Sequence, residues 1–203
     1  DNYITSLSGL VGYYTGESWT GTQWTDLSSA KNHVTAITNA PKITRGLTGL
    51  TGLRSFIFGS TTESMVFPTG ILPATYTLFF VAKYNGATKQ RIFNGVTYNW
   101  LSGFHGGVSG VAHHSAWITQ FTADQHPTGW VLGTDQNSLF RSNKINRTTA
   151  PPGSPSFDTI CINTGFTGTA QLSDWAIACV VVYNRTLTAA EITQVENGLA
   201  VTY

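Results

Sequence analysis

The longest apolar stretch of the chain runs from Ala176 to Tyr183 and is rich in β-branched valine. It is hydrophobic at successive rather than alternate positions, which predicts a short strand buried on both faces. Asn184 and Arg185 end it, and Thr188-Ala189-Ala190-Glu191 follows as a capping box. Ile192, Val195 and Leu199 then recur at helical spacing. The chain should therefore close with one short amphipathic helix, with Glu196 on its solvent face. Upstream the period is that of strands. Leu10–Tyr14, Arg54–Phe58, Ser64–Phe67, Thr75–Lys83, Gln90–Phe93, Tyr98–Leu101, Val111–Thr119, Trp130–Gly133, Leu139–Asn143 and Asp158–Asn163 are apolar or alternating segments between turn residues. Asn85-Gly86 predicts a tight hairpin joining Thr75–Lys83 to Gln90–Phe93, and Asn94-Gly95 a second turn of that kind. A third hairpin is expected around Asp135-Gln136-Asn137. The segment Asp1–Ser8 reads as extended chain, paired with its own sheet or added to the edge of a neighbour's. A series of about a dozen short strands and one terminal helix predicts an all-β, two-sheet antiparallel sandwich.

Particular segments carry a family resemblance. The terminal strand ending Val180-Val181-Val182-Tyr183-Asn184-Arg185, followed by Leu187-Thr188-Ala189-Ala190-Glu191-Ile192, resembles the end of concanavalin A-like lectin/glucanase domains, and of their laminin-G-like branch in particular. Gly9-Leu10-Val11-Gly12-Tyr13-Tyr14, Trp24-Thr25-Asp26-Leu27-Ser28 and Asn32-His33 are similar to that family's first strand and hairpin. Leu53–Gly59 and Thr75–Val81 resemble its next strands. The resemblance implies a jelly roll spanning residues 1–203 as one domain. It constrains function less, because this fold hosts enzymes, lectins and adhesion modules alike.

Composition narrows the partners. The 203 residues carry a net charge of +1, so neither nucleic acid nor membrane insertion is expected. Charged residues make up 10%, against 41% hydrophobic. A neutral, hydroxyl-rich surface suits a secreted or assembled protein. The chain starts at Asp1 with no initiator Met and no signal peptide, so either a targeting segment has been removed or the sequence simply begins at this point. Cys161 and Cys179 fall in predicted strands. They are either small buried apolar residues or a disulfide, and in a secreted chain the disulfide is the expectation. Asn146-Arg147-Thr148 and Asn184-Arg185-Thr186 are N-glycosylation sequons, usable in a eukaryotic secretory pathway.

The chemistry-bearing residues argue against catalysis. Glycoside hydrolysis needs a pair of carboxyl groups about 5–10 Å apart. The family's glucanases set theirs along one strand, and here no glutamate lies two residues from an aspartate. No G-x-S-x-G elbow occurs either. His113 and His114 are adjacent, so on a strand they point to opposite faces and cannot share one metal ion without a bulge, whereas His105 and His113 could if a hairpin set them opposite. No cofactor is called for, calcium at Asp124 or Asp135 being the one weak candidate. Sugar recognition is the leading reading. It needs aromatic rings for the apolar C–H faces of a sugar and polar groups for its hydroxyls. Trp100, His105 and Trp117 are the candidate platform, and Asp135, Asn137, Arg141 and Asn143 the candidate polar contacts. Antiparallel pairing across the glycine-rich Leu101–Gly110 segment should bring Trp100 and Trp117 together. The expected partner is a glycan or polysaccharide. The rival is a structural subunit of an extracellular filament, coat or fibre, whose partners would be identical subunits.

Overall fold

The computed structural model describes residues 1–49, 52–127 and 129–203. Fourteen strands are present among them: β1 Leu10–Thr15, β2 Ala36–Thr38, β3 Lys42–Gly49, β4 Gly52–Gly59, β5 Ser64–Val66, β6 Thr77–Tyr84, β7 Phe93–Gly95, β8 Trp100–His105, β9 Val108–His114, β10 Val131–Gln136, β11 Leu139–Ser142, β12 Ile145–Asn146, β13 Ile160–Ile162 and β14 Trp175–Tyr183. A single-turn helix α1, Asn2–Thr5, precedes them, and helix α2, Ala189–Thr202, follows. The strands form two antiparallel sheets, so the chain is an all-β sandwich with a C-terminal helix. One sheet has the order β12-β11-β10-β6-β14-β4-β3, with β1 also paired to β14. The other has the order β2-β5-β13-β7-β8-β9.

Strand β14 is central because every one of its residues is buried. Ile177, Val180 and Val182 face the other sheet, whereas Ala178, Cys179, Val181 and Tyr183 face the layer formed by α2 and the N-terminal residues. A register shift between Ile177 and Cys179 changes the alternation within the strand. Its neighbour β6 behaves likewise: Leu78, Phe80 and Ala82 point between the sheets and Phe79 and Val81 toward the helix. Each buried Val, Leu, Ile or Phe among them contributes roughly 1.5–3 kcal/mol. Gly133, opposite Phe80 in the β10–β6 pair, has to be glycine, because a Cβ there would lie 2.0 Å from Phe80 Cζ.

Helix α2 starts as its capping box predicts. Thr188 Oγ1 accepts the Glu191 amide at 3.3 Å, and Glu191 Oε2 accepts the Thr188 amide at 2.8 Å. Arg185 grips the same carboxylate with two nitrogens, at 2.7 and 3.0 Å. Ile192, Val195 and Leu199 pack onto the sheet. Glu196 does not lie on the solvent face. It is buried at 1% exposure, where it accepts Arg141 Nε and Thr134 Oγ1, each at 2.8 Å. The buried Thr134 and the reach of Arg141 supply the donors that make this burial tolerable.

Other expectations are corrected by long-range pairing. Residues 1–8 form no strand. Asn2–Thr5 is helical and sits against α2, with Tyr3 Oη and Thr202 Oγ1 2.8 Å apart. Asn85-Gly86 does not close a hairpin. After β6 the chain crosses to the other sheet, where β7 pairs with β8 and β13, and the crossing is held by Asp174, which accepts the Thr88 amide at 2.9 Å. Asn94-Gly95 lies inside β7 rather than in a turn. The hairpin between β10 and β11 is present, with Gln136 opposite Leu139. The cysteines are both free and buried. Cys161 lies in β13 and Cys179 in β14, on different sheets. Their strand neighbours Ile160, Ile162 and Val180 face the space between the sheets, so the two thiols point away from each other. Packed sheets are about 10 Å apart, beyond the Cα separation a disulfide spans.

Candidate functional site

Three of the residues singled out in the sequence belong to one network between the sheets. Trp100, Asp135 and His114 are each 0% exposed. Tyr76 Oη donates to Asp135 Oδ1 at 2.7 Å, Ser102 Oγ donates to Oδ2 at 2.6 Å, and His114 Nε2 lies 3.1 Å from Oδ2. Trp100 stacks on His114 with 12° between the planes and donates its Nε1–H to Tyr76 Oη at 3.2 Å. The second nitrogen of His114 meets the Asn137 carbonyl at 2.9 Å, and a carbonyl only accepts. Burial alone would pull the His114 pKa down, but the Asp135 charge and the hydrogen bonds to Asp135 and Asn137 outweigh it and hold it above 6.5. This is a buried ion pair that joins the sheets. Trp100 is therefore no exposed platform, and Asp135 is buried with both oxygens already accepting hydrogen bonds.

The remaining polar candidates also serve the scaffold. Arg141 holds Glu196. Asn143 Oδ1 accepts the Leu132 amide at 2.8 Å, and the Asn137 side-chain amide donates to the Ala74 carbonyl. Asp124 Oδ1 accepts the Ser109 amide at 3.0 Å, Ser109 Oγ at 2.6 Å and the His126 amide at 3.1 Å. Burial would raise its pKa, and those hydrogen bonds outweigh it and lower it. Among the described residues no three His, Cys, Asp or Glu side chains converge as a metal ion would require.

His105 and Trp117 do come together, on the outer face of the six-stranded sheet. In β8 and β9, Trp100, Phe104, Ala112 and His114 face inward, so the intervening Leu101, His105 and His113 face outward. Leu101 is opposite His113, and a further bridge pairs His113 with Trp117. The Trp117 ring stacks on Phe121 at 4.4 Å and 19°, and takes the edges of His105 at 5.2 Å and His113 at 5.0 Å. Phe121 is 43% exposed, Tyr98 41%, and Trp117 and both imidazoles are half-buried. Trp100 and Trp117 are thus on opposite faces of the sheet, not side by side.

Arg91 lies next to this cluster. Its guanidinium donates to Asn94 Oδ1 at 2.9 Å and to Asn99 Oδ1 at 2.8 Å, and the Asn99 carbonyl accepts His113 Nδ1 at 2.8 Å. Burial depresses the His105 and His113 pKa values, and the Arg91 charge depresses both further. Arg91 Nε and His105 Nδ1 are buried without a hydrogen-bond partner. Arg91, Asn99 and Phe121 are not among the residues the sequence points to. Alternation along β8 and β9 was the available signal for the outward set, but the loop positions of Arg91 and Asn99 carry none.

No protein-family model and no curated protein sequence matches this chain. Solved structures do match it in fold. It is similar to domain 4 of AbnA, a GH43 extracellular arabinanase from Geobacillus stearothermophilus, in complex with arabinotriose, with a TM-score of 0.59 and 13% identity over 92% of this chain and 98% of that one. It is similar to the binding domain of botulinum neurotoxin DC in complex with SialylT, with a TM-score of 0.59 and 12% identity over 95% of this chain and 52% of that one. A mutant of Trypanosoma rangeli sialidase displaying trans-sialidase activity gives a TM-score of 0.60 and 15% identity over 99% of this chain. This chain spans about half of the toxin domain and about a third of the sialidase, covering 52% and 37% of them.

Proposed function

We propose that this chain is a non-catalytic extracellular domain that binds carbohydrate on the outer face of its six-stranded sheet. The observation that carries the reading is the stacked Trp117–Phe121 pair, accessible to solvent and edged by His105 and His113. Stacked rings offer the apolar surface a pyranose face needs, and imidazole nitrogens beside them suit its hydroxyls. Neighbours in fold solved with arabinotriose and with SialylT support it. The glutamates support the non-catalytic part, because each has a structural partner. Glu17 accepts the Ser55 amide, Glu63 binds Ser60, Glu191 caps α2 and Glu196 holds Arg141.

The test is a glycan array probed with the wild-type chain and with His105→Ala and Trp117→Ala. Binding by the wild type, lost in both variants at unchanged circular dichroism, is the expected result. Binding that survives both would place the site elsewhere. No binding to any glycan would leave a structural subunit as the better reading. The free edge strand β3 favours that alternative with its exposed Ile43, although Lys42 and Arg45 on the same strand oppose edge-to-edge pairing.

A further inference from the structure

Arg91 is 5% exposed, and the partners of its guanidinium are the two neutral amide oxygens of Asn94 and Asn99. Among the described residues no carboxylate forms an ion pair with it. Asp158, whose charge raises the Cys161 thiol pKa while that of Arg91 lowers it, is occupied with the amides of Thr97, Tyr98 and Thr159. A buried cation normally has a counter-ion, because an unpaired one is expensive to desolvate. Arg91 Nε has no acceptor at all. The field of this charge reaches the surface, since it bears on both His105 and His113, the imidazoles at the edge of the Trp117 ring. His105 Nδ1 is likewise without a partner. The face therefore combines an aromatic platform and two imidazoles, with an uncompensated guanidinium buried beneath it and linked to His113 through Asn99.

We infer that the ligand of this face is an acidic sugar, a glycan residue bearing a carboxylate that sits at His105 and supplies the counter-charge Arg91 lacks. The inference rests on the carbohydrate-binding reading and specifies its ligand class. The sugar ring lies against Trp117 and Phe121, and the carboxylate accepts from the outer N–H of His105; His113 gives its one N–H to the Asn99 carbonyl. A neutral sugar would make the first set of contacts and not the second.

Matched probes separate the two contributions. Calorimetric titration with polygalacturonate is compared with its fully methyl-esterified form, and sialyllactose with lactose, with dextran sulfate, which bears sulfate and no carboxylate, as the control. The carboxylated member of at least one pair should bind about tenfold more tightly than its neutral counterpart, the scale of one added charge contact. That ratio should shrink in about 0.5 M NaCl, where screening is strong. Arg91→Met should abolish the preference while Arg91→Lys keeps most of it, both read beside circular dichroism. If Arg91→Met does not fold, His105→Asn takes its place, with the wild-type ratio and its salt dependence. Equal affinity for both members of each pair overturns the acidic-ligand inference and leaves carbohydrate binding standing. Binding to dextran sulfate alone overturns it in favour of sulfate. Binding to none of the probes or array glycans overturns both.

Discussion

Replacing Asp135 with Asn tests the buried pair that links the two sheets. In the native chain Asp135 receives Tyr76, Ser102 and His114, and both members of the ion pair are 0% exposed. Asn is nearly isosteric and can still accept one hydroxyl, so the change removes charge with little change of volume. Removing one partner of a buried pair costs about 3–5 kcal/mol, because the other is left uncompensated. For a domain of this length each kcal/mol lowers Tm by about 2–4 °C, so Asp135→Asn should melt roughly 6–20 °C lower. The pH dependence gives a second signature. The His114 pKa is raised in the fold above 6.5, so its stabilisation is fully present below 6.5 and is lost as pH rises through the folded value. Without the Asp135 charge the dominant remaining influence is burial, which lowers the pKa. His114 in the variant then costs stability as pH falls. His105, His113 and His126 have lowered values and titrate in both proteins, so they cancel in the difference. Urea denaturation of both proteins from pH 5 to 9 should therefore show the gap between them widest at low pH and narrowing upward. A variant within about 1 kcal/mol of wild type, or a gap independent of pH, would refute the ion-pair account.

Further outcomes follow from the packing. Trp100→Ala should lose about 3–5 kcal/mol because its ring is fully buried, whereas Trp117→Ala, half-exposed, should lose clearly less; chemical denaturation of the two variants side by side decides it. The unreduced protein should carry two free thiols that alkylate after unfolding and resist alkylation when native, since burial pushes Cys161 up to about 12 and Cys179 higher still; an intact mass lighter by a disulfide would contradict this. Thr188→Ala removes the acceptor of the Glu191 amide and should cost about 1 kcal/mol, read as a shifted urea midpoint with unchanged slope. Gly133→Ala should destabilise the fold more than either cap or surface changes, because its Cβ would meet Phe80 and two packed strands leave the ring nowhere to move; a thermal melt equal to wild type would show that the strands do yield.

Local signals were sufficient for several of the elements, though not for α1 or for Asn94-Gly95 in β7. The continuous apolar run made β14 a doubly buried strand, and Thr188 with Glu191 placed the start of α2 at the residue where the structure has it. The alternation of Thr75–Lys83 marked β6, and Asp135–Asn137 marked the β10–β11 turn. These features are set by residues a few positions apart, so the sequence alone carries them. Pairing is different. A period of two says that a strand has two faces, not which strand lies beside it. Tertiary structure therefore decided that β7 leaves the sheet of β6, that Cys161 and Cys179 sit on different sheets, and that Trp100 faces inward while Trp117 faces out.

The same limit governs charge. Asp135 looked like a free polar group in a hairpin until Tyr76, 59 positions away, and Ser102, 33 positions away, enclosed it. Glu196 looked solvent-facing until Arg141 met it from 55 positions away. Arg91 carried no sequence signal at all, because what distinguishes it is the absence of a carboxylate in a buried place. Burial and partnership are properties of long-range contacts, and a linear pattern of hydrophobic and polar residues records only which side chains could be buried, not which charges meet when they are.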